Sequence, residues 1–118
     1  MKRPSWATSE TYWEKQCLRL VALANDLIEG RIGVLEASRQ FSYYRSWFRA
    51  EKDPDFTTFV AIDSETDNLP MGNVRQHWAI EALEKKDIEI QQCEEFYRSD
   101  AIEAARNLVK KYAISDQE

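Results

Sequence analysis

From Leu83 to Tyr112 the apolar residues recur at alternating steps of three and four. Leu83, Ile90, Cys93, Tyr97, Ala101, Ala104, Leu108 and Tyr112 therefore fall on one side of an α-helix. Two acids, Asp87 and Glu94, stand in the same stripe. A carboxylate on a core-facing stripe has to be paired or hydrogen-bonded, because burying an unpaired charge is strongly unfavourable.

The same helical spacing runs through the rest of the chain. Thr8 or Ser9 can cap a first helix whose stripe is Trp13, Cys17, Leu20, Ala24, Leu27 and Ile28, ending at Gly30. Gly30 and Gly33 bracket a short link. Val34, Ala37, Phe41, Tyr44 and Phe48 then define a second helix, so the first two elements make an antiparallel hairpin. Asp53 followed by Pro54 is a helix start, with Phe56, Phe59 and Val60 on one face. Thr57 to Ile62 is also rich in β-branched and aromatic residues, which favours a strand. Helix is preferred, because a lone strand would have no partner.

Ser64 to Gly72 has loop chemistry in Asp67, Asn68, Pro70 and Gly72. A last helix is expected from Asn73 to Tyr112, unbroken or breaking at Ser99-Asp100. At about 40 residues it would reach ~60 Å, more than the width of so small a domain, so a break or a protruding end is expected. Three glycines and three prolines in 118 residues are too few for a turn-rich β fold, while 43% apolar content supports a core. The expected fold is an all-α bundle in one domain, residues 1–118, with flexible ends at 1–7 and 114–118.

Charge divides the chain. Residues 1–59 carry nine Lys/Arg against eight Asp/Glu, a net +1; residues 60–118 carry seven against thirteen, a net −6. The acidic half is the last helix. Such a surface disfavours nucleic acid and anionic membrane and favours a basic protein partner. The two cysteines, Cys17 and Cys93, lie on apolar stripes, and no apolar run suits a signal peptide or a membrane span. A cytoplasmic protein is the expectation.

Catalytic patterns fail on inspection. Asp63-Ser64-Glu65-Thr66-Asp67 alternates acids like a calcium loop, but the sixth and twelfth positions hold Asn68 and Val74 instead of glycine and glutamate. His77 is the only histidine, and its own helix gives it no carboxylate; Asp63, Glu65 or Asp67 could supply one. Gly30-Arg31-Ile32-Gly33 lacks the lysine and the spacing of phosphate loops. No metal or cofactor is expected.

Two constellations stand out. Arg39, Arg45 and Arg49 alternate with Phe41, Tyr43, Tyr44, Trp47 and Phe48, and could track phosphates while exposed rings stack on bases. The core stripe takes Phe41, Tyr44 and Phe48, leaving Tyr43 and Trp47 as candidates for exposure and Trp47 a candidate anchor for a protein partner. The second is a polar inter-helix cluster of Arg31, Glu36, Arg39, Arg75, Asp87 and Glu94, in which an arginine is expected to cross-pair with Asp87 or Glu94. It is read as an ion pair setting helix register or as a pocket for a small polar ligand.

Gly30-Arg31-Ile32-Gly33-Val34-Leu35-Glu36-Ala37-Ser38-Arg39, Asp63-Ser64-Glu65-Thr66-Asp67-Asn68-Leu69-Pro70, and then Arg75, Trp78 and Asp87 resemble small stand-alone helical proteins of uncharacterised bacterial families. The resemblance covers about residues 20 to 112 and implies a bacterial origin; it implies no activity.

The functional expectation is a non-enzymatic protein-binding protein. An immunity protein or inhibitor that masks a basic toxin or nuclease fits, with Trp47, Glu81, Glu84, Glu89, Glu95 and Glu103 as contacts. The alternatives are a small-ligand or metal-dependent enzyme built on the inter-helix cluster and an RNA-binding module. A homo-oligomer is left open.

Overall fold

The computed structural model describes residues 2–114 as an all-helical bundle, with no strand among them. Four α-helices follow in order: α1 Glu10–Ile28, α2 Val34–Trp47, α3 Pro54–Thr66 and α4 Ile80–Tyr112, with a 3-10 helix Gly72–His77 before the last. Neighbours in sequence run antiparallel. α1 packs chiefly on α4 and α2 on α3.

Local chemistry sets most of these boundaries. Ser9 Oγ accepts the Tyr12 amide at 3.2 Å and starts α1. Gly30 ends it in a left-handed conformation, φ 78, from which Gly30 N donates to Leu27 O and Arg31 N to Asp26 O. The end of α2 repeats this motif with Arg49 in the glycine place, φ 53; Arg49 N donates to Ser46 O and Ala50 N to Arg45 O. Asp53 Oδ1 accepts the Asp55 amide at 2.9 Å and Pro54 opens α3.

The Thr57 to Ile62 stretch is helical. Thr57 and Thr58 turn their hydroxyls back onto the carbonyls of Asp53 and Pro54, while Phe56, Phe59 and Ile62 enter the core. α3 also runs two residues beyond Ser64, into the stretch expected as loop. Thr66 is buried there and bonds Ile62 O at 2.7 Å, which carries the last turn.

The core centres on Phe41 stacked on Phe59, ring centroids 4.0 Å apart, and extends to Phe48 and Tyr112 at 4.8 Å. Burying side chains of this size stabilises by roughly 1.5–3 kcal/mol each. The N-terminal segment was expected to be loose to residue 7. Instead Ala7 is buried and Trp6 packs edge-on against Trp13 and Trp47, so the stretch is anchored from Trp6 onward. Met1 and residues 115–118 lie outside the described residues.

α4 departs from expectation at its start and takes the unbroken alternative at Ser99-Asp100. It begins at Ile80 rather than Asn73, because residues 72–77 form the separate 3-10 turn and Trp78 and Ala79 are extended. It then passes through Ser99-Asp100 without a break: both residues are exposed, while Ala101, Ala104 and Ala105 pack flat against the core. At 33 residues the helix measures ~50 Å, close to the 53 Å long axis of the molecule. Tyr112 meets Trp13's neighbour Phe48 at one end of the bundle. Glu94, opposite the α1–α2 link, is the first buried residue of the helix. The stretch 80–96, the arm, meets the core through partly buried Ile90 and Cys93 and leaves its opposite side exposed.

Candidate functional site

The six residues of the expected polar cluster take separate roles. Arg75 with Asp87 is the one pair of the six joined by a hydrogen bond or ion pair among the described residues, at 2.8 Å. Arg31 bonds Asp26 and Glu29 on its own turn. Arg39 spans the end of α3, donating to Leu69 O at 2.9 Å and Thr66 O at 3.3 Å, with Asp63 3.6 Å away. Glu36 is exposed.

Glu94 finds no arginine. Its Oε2 accepts the backbone amide of Val34 at 2.6 Å, and a Cβ on Gly33 would collide with Oε1. α2 has no capping side chain of its own, so a carboxylate from 60 residues away caps it and meets the positive end of its dipole. Arg31, Arg39, Arg75, Asp87 and Glu94 thus each make a separate structural tie.

Those ties hold the base of the arm. Arg75 also donates to Pro70 O at 3.1 Å, so one guanidinium fastens the 3-10 segment to α4. Its bond to Asp87 holds that carboxyl below, and the guanidinium above, their ordinary pKa values. Tyr97 donates its hydroxyl to Glu65, tying α4 to the end of α3; that bond to a carboxylate, with burial, pushes the phenol up to about 12.

The outer side of the arm is unlike the rest of the surface. Ile88 is 63% and Phe96 77% exposed, and Ile80 at the arm's start is 76% exposed. Glu81, Glu84 and Glu95 are exposed beside them and enter no ion pair among the described residues; Glu89 pairs with Lys86 at 3.4 Å. At 100° per residue, Glu81, Ile88, Glu95 and Phe96 fall in the half of the helix turned away from Glu94, and Glu84 borders it. Two large apolar side chains framed by unpaired acids have the anatomy of a contact surface, anchors inside a charged rim. Ile88 and Phe96 interrupt the acidic run at eight-residue spacing, a signal open to sequence reading that the core stripe obscured.

Two of the expected partner contacts lie elsewhere. Trp47 is at the far end of the bundle, packed against Trp6, Tyr12, Trp13 and Phe48. Glu103 faces a groove between α3 and α4 beside Asp55 and Asp100. Nearby, Asn107 bonds Asp55 at 3.0 Å and Lys111 bonds Asp53 at 2.6 Å.

The expected arginine strip is also dispersed. Arg39 is engaged as above, Arg45 reaches Glu51 O at 3.5 Å, and Arg49 lies 4.6 Å from the Trp6 ring centroid. His77 is exposed in the 3-10 helix, and among the described residues no carboxylate bonds it. Asp63 and Glu65 serve Arg39 and Tyr97, and no group of three or more His, Cys, Asp or Glu side chains is placed to hold a metal among the described residues. None of the described helices is long and apolar enough to cross a membrane.

Fold and surface together define an all-helical bundle with an acidic arm. Comparison with protein-family models, curated proteins and solved structures finds no match.

Proposed function

We propose that this chain is a non-enzymatic binding protein whose contact surface is the outer face of the α4 arm. The observation that carries this reading is the exposure of Ile88 and Phe96 among unpaired Glu81, Glu84 and Glu95 on a helix segment with no buried residue before Glu94. A soluble surface has reason to keep two such anchors side by side where a partner covers them. The acids specify a basic partner, whose approach they would speed and orient. An inhibitor or immunity protein that masks a basic toxin or nuclease is the partner relationship this chemistry suits. Trp47 drops out of the contact set, because it lies at the opposite end of the molecule from the arm.

The test is cross-linking with mass spectrometry in a native lysate, comparing the wild-type chain with Phe96→Ala/Glu95→Lys. A basic protein cross-linked to residues 81–99, and lost in the variant, supports the reading. Cross-links that map elsewhere, or that persist in the variant, overturn it.

A further inference from the structure

The end of the bundle opposite the arm carries a groove of complementary chemistry. It measures about 310 Å³ and is lined by Trp6, Ala7, Thr8, Ser9, Tyr12, Trp47 and Arg49. Its single ionic group is Arg49, which no carboxylate pairs among the described residues. A second groove of about 450 Å³ shares Arg49 and adds Lys52; there Lys111 and Asp53 already bond each other, leaving Glu51 as the remaining acid. Arg49 holds its place in a left-handed conformation that the equivalent turn of α1 gives to Gly30. A cation is thus fixed at the rim of an aromatic trough.

From these features we infer that the arm of one molecule docks in the aromatic groove of a second copy, so that the protein associates head to tail. Glu84 and Glu95 supply the charge that Arg49 and Lys52 lack. Phe96 and Ile88 supply apolar groups for Trp6, Tyr12 and Trp47, whose rings already meet edge to face and can take another ring in the same way. A molecule cannot satisfy itself: α4 carries the arm at its start, and Tyr112 at its other end lies against Phe48, next to Trp47. The contact is heterologous, so a chain of copies leaves one arm and one groove free at its two ends. One helix face against one groove falls below the ~1,200 Å² of standard interfaces, so association is weak and depends on concentration.

The inference rests on the arm's outer face being a contact surface, as in the function proposed above, and the experiment separates the two. Sedimentation of the full chain at low salt should show average mass rising with concentration and falling back as salt screens the charges. Arg49→Glu removes the groove and Glu84→Lys/Glu95→Lys removes the arm; each should weaken association about tenfold or more. An equimolar mixture of the two variants holds one intact arm and one intact groove and sets the reversed arm opposite the reversed groove, so it should associate again. All the altered side chains are exposed, and Tyr12→Glu provides a second groove variant should Arg49→Glu fold poorly. A wild-type chain that stays monomeric, association that survives both variants, or a mixture that stays monomeric overturns self-docking. A monomer whose arm still cross-links to a basic protein in lysate sinks this inference alone.

Discussion

At the start of α2 the Glu94 carboxylate fills the space that a side chain on Gly33 would need, and from there it accepts the Val34 amide at 2.6 Å. Gly33 has φ −74, open to any residue, so glycine is required for room and not for conformation. Gly33→Ala should displace the carboxylate and orphan a buried amide, costing about 1–3 kcal/mol in urea denaturation. Glu94→Ala should cost a similar amount. The double variant should cost clearly less than the two together, since both remove the same bond; strict additivity would rule the cap out.

Arg49 offers a second test in which two effects oppose. Its left-handed backbone costs roughly 1–2 kcal/mol, and its place over Trp6 returns ~0.5–1 kcal/mol. Arg49→Gly removes both and should leave the melting temperature almost unchanged. Arg49→Ala keeps the strain and loses the contact, and should melt lower than Arg49→Gly.

These residues also show what could be read from the chain. Ser9, Gly30 and Asp53-Pro54 act on their own turns, so α1, α2 and α3 were legible from local signals. The start of α4 was not, because no breaker lies between Asn73 and Ile80; the turn there goes with Arg75 reaching Pro70 O and Asp87. Glu94 bonds a backbone amide and not an arginine, a partner that the charge pattern alone does not point to. The available clue was Gly33, a helix start with no capping side chain, which leaves an amide for an acid to claim. Of the proposed contact face, the acids are legible in the charge pattern, while Ile88 and Phe96 are masked by the core stripe and the place of Trp47 depends on the fold.

Alkaline pH should destabilise the protein through its buried thiol and phenol. Burial pushes the Cys17 thiol up to about 11 from 9.0 and the Tyr112 phenol up to about 12 from 10.0. In that range the unfolded chain has lost protons that the folded one keeps, so stability is full below pH 9 and falls between pH 9 and 12. Urea midpoints across this range should decline, and Cys17→Ala should move the onset up toward pH 10. With a thiol reagent at pH 8, half-buried Cys93 should react slowly and Cys17 only after unfolding.

The Arg75–Asp87 pair should govern the arm and little else. Asp87→Asn should raise amide hydrogen exchange across residues 72–92 while leaving exchange in α2 unchanged. Acid should act alike: Asp87 is held ionised below its ordinary range, so the tie is present above that range and is lost as pH falls through the depressed value. Equal acceleration throughout the molecule would show that the arm is not a separate unit.

Phe96→Ala should separate binding from folding. With its side chain in solvent, the change should alter stability by no more than ~0.5 kcal/mol while reducing partner capture. A large loss of stability would assign Phe96 to the fold instead.

The pairing of α1 with α4 also has a consequence during synthesis. The face of α1 that carries Trp13, Cys17, Leu20 and Ala24 finds its main cover in α4, the last of these four helices to leave the ribosome. α2 and α3 can pair while translation continues, but that face of α1 must wait until the segment from Glu94 to Tyr112 has emerged. A ribosome stalled within α4 therefore presents a nascent chain with an open apolar strip, the kind of surface that chaperones and proteases recognise.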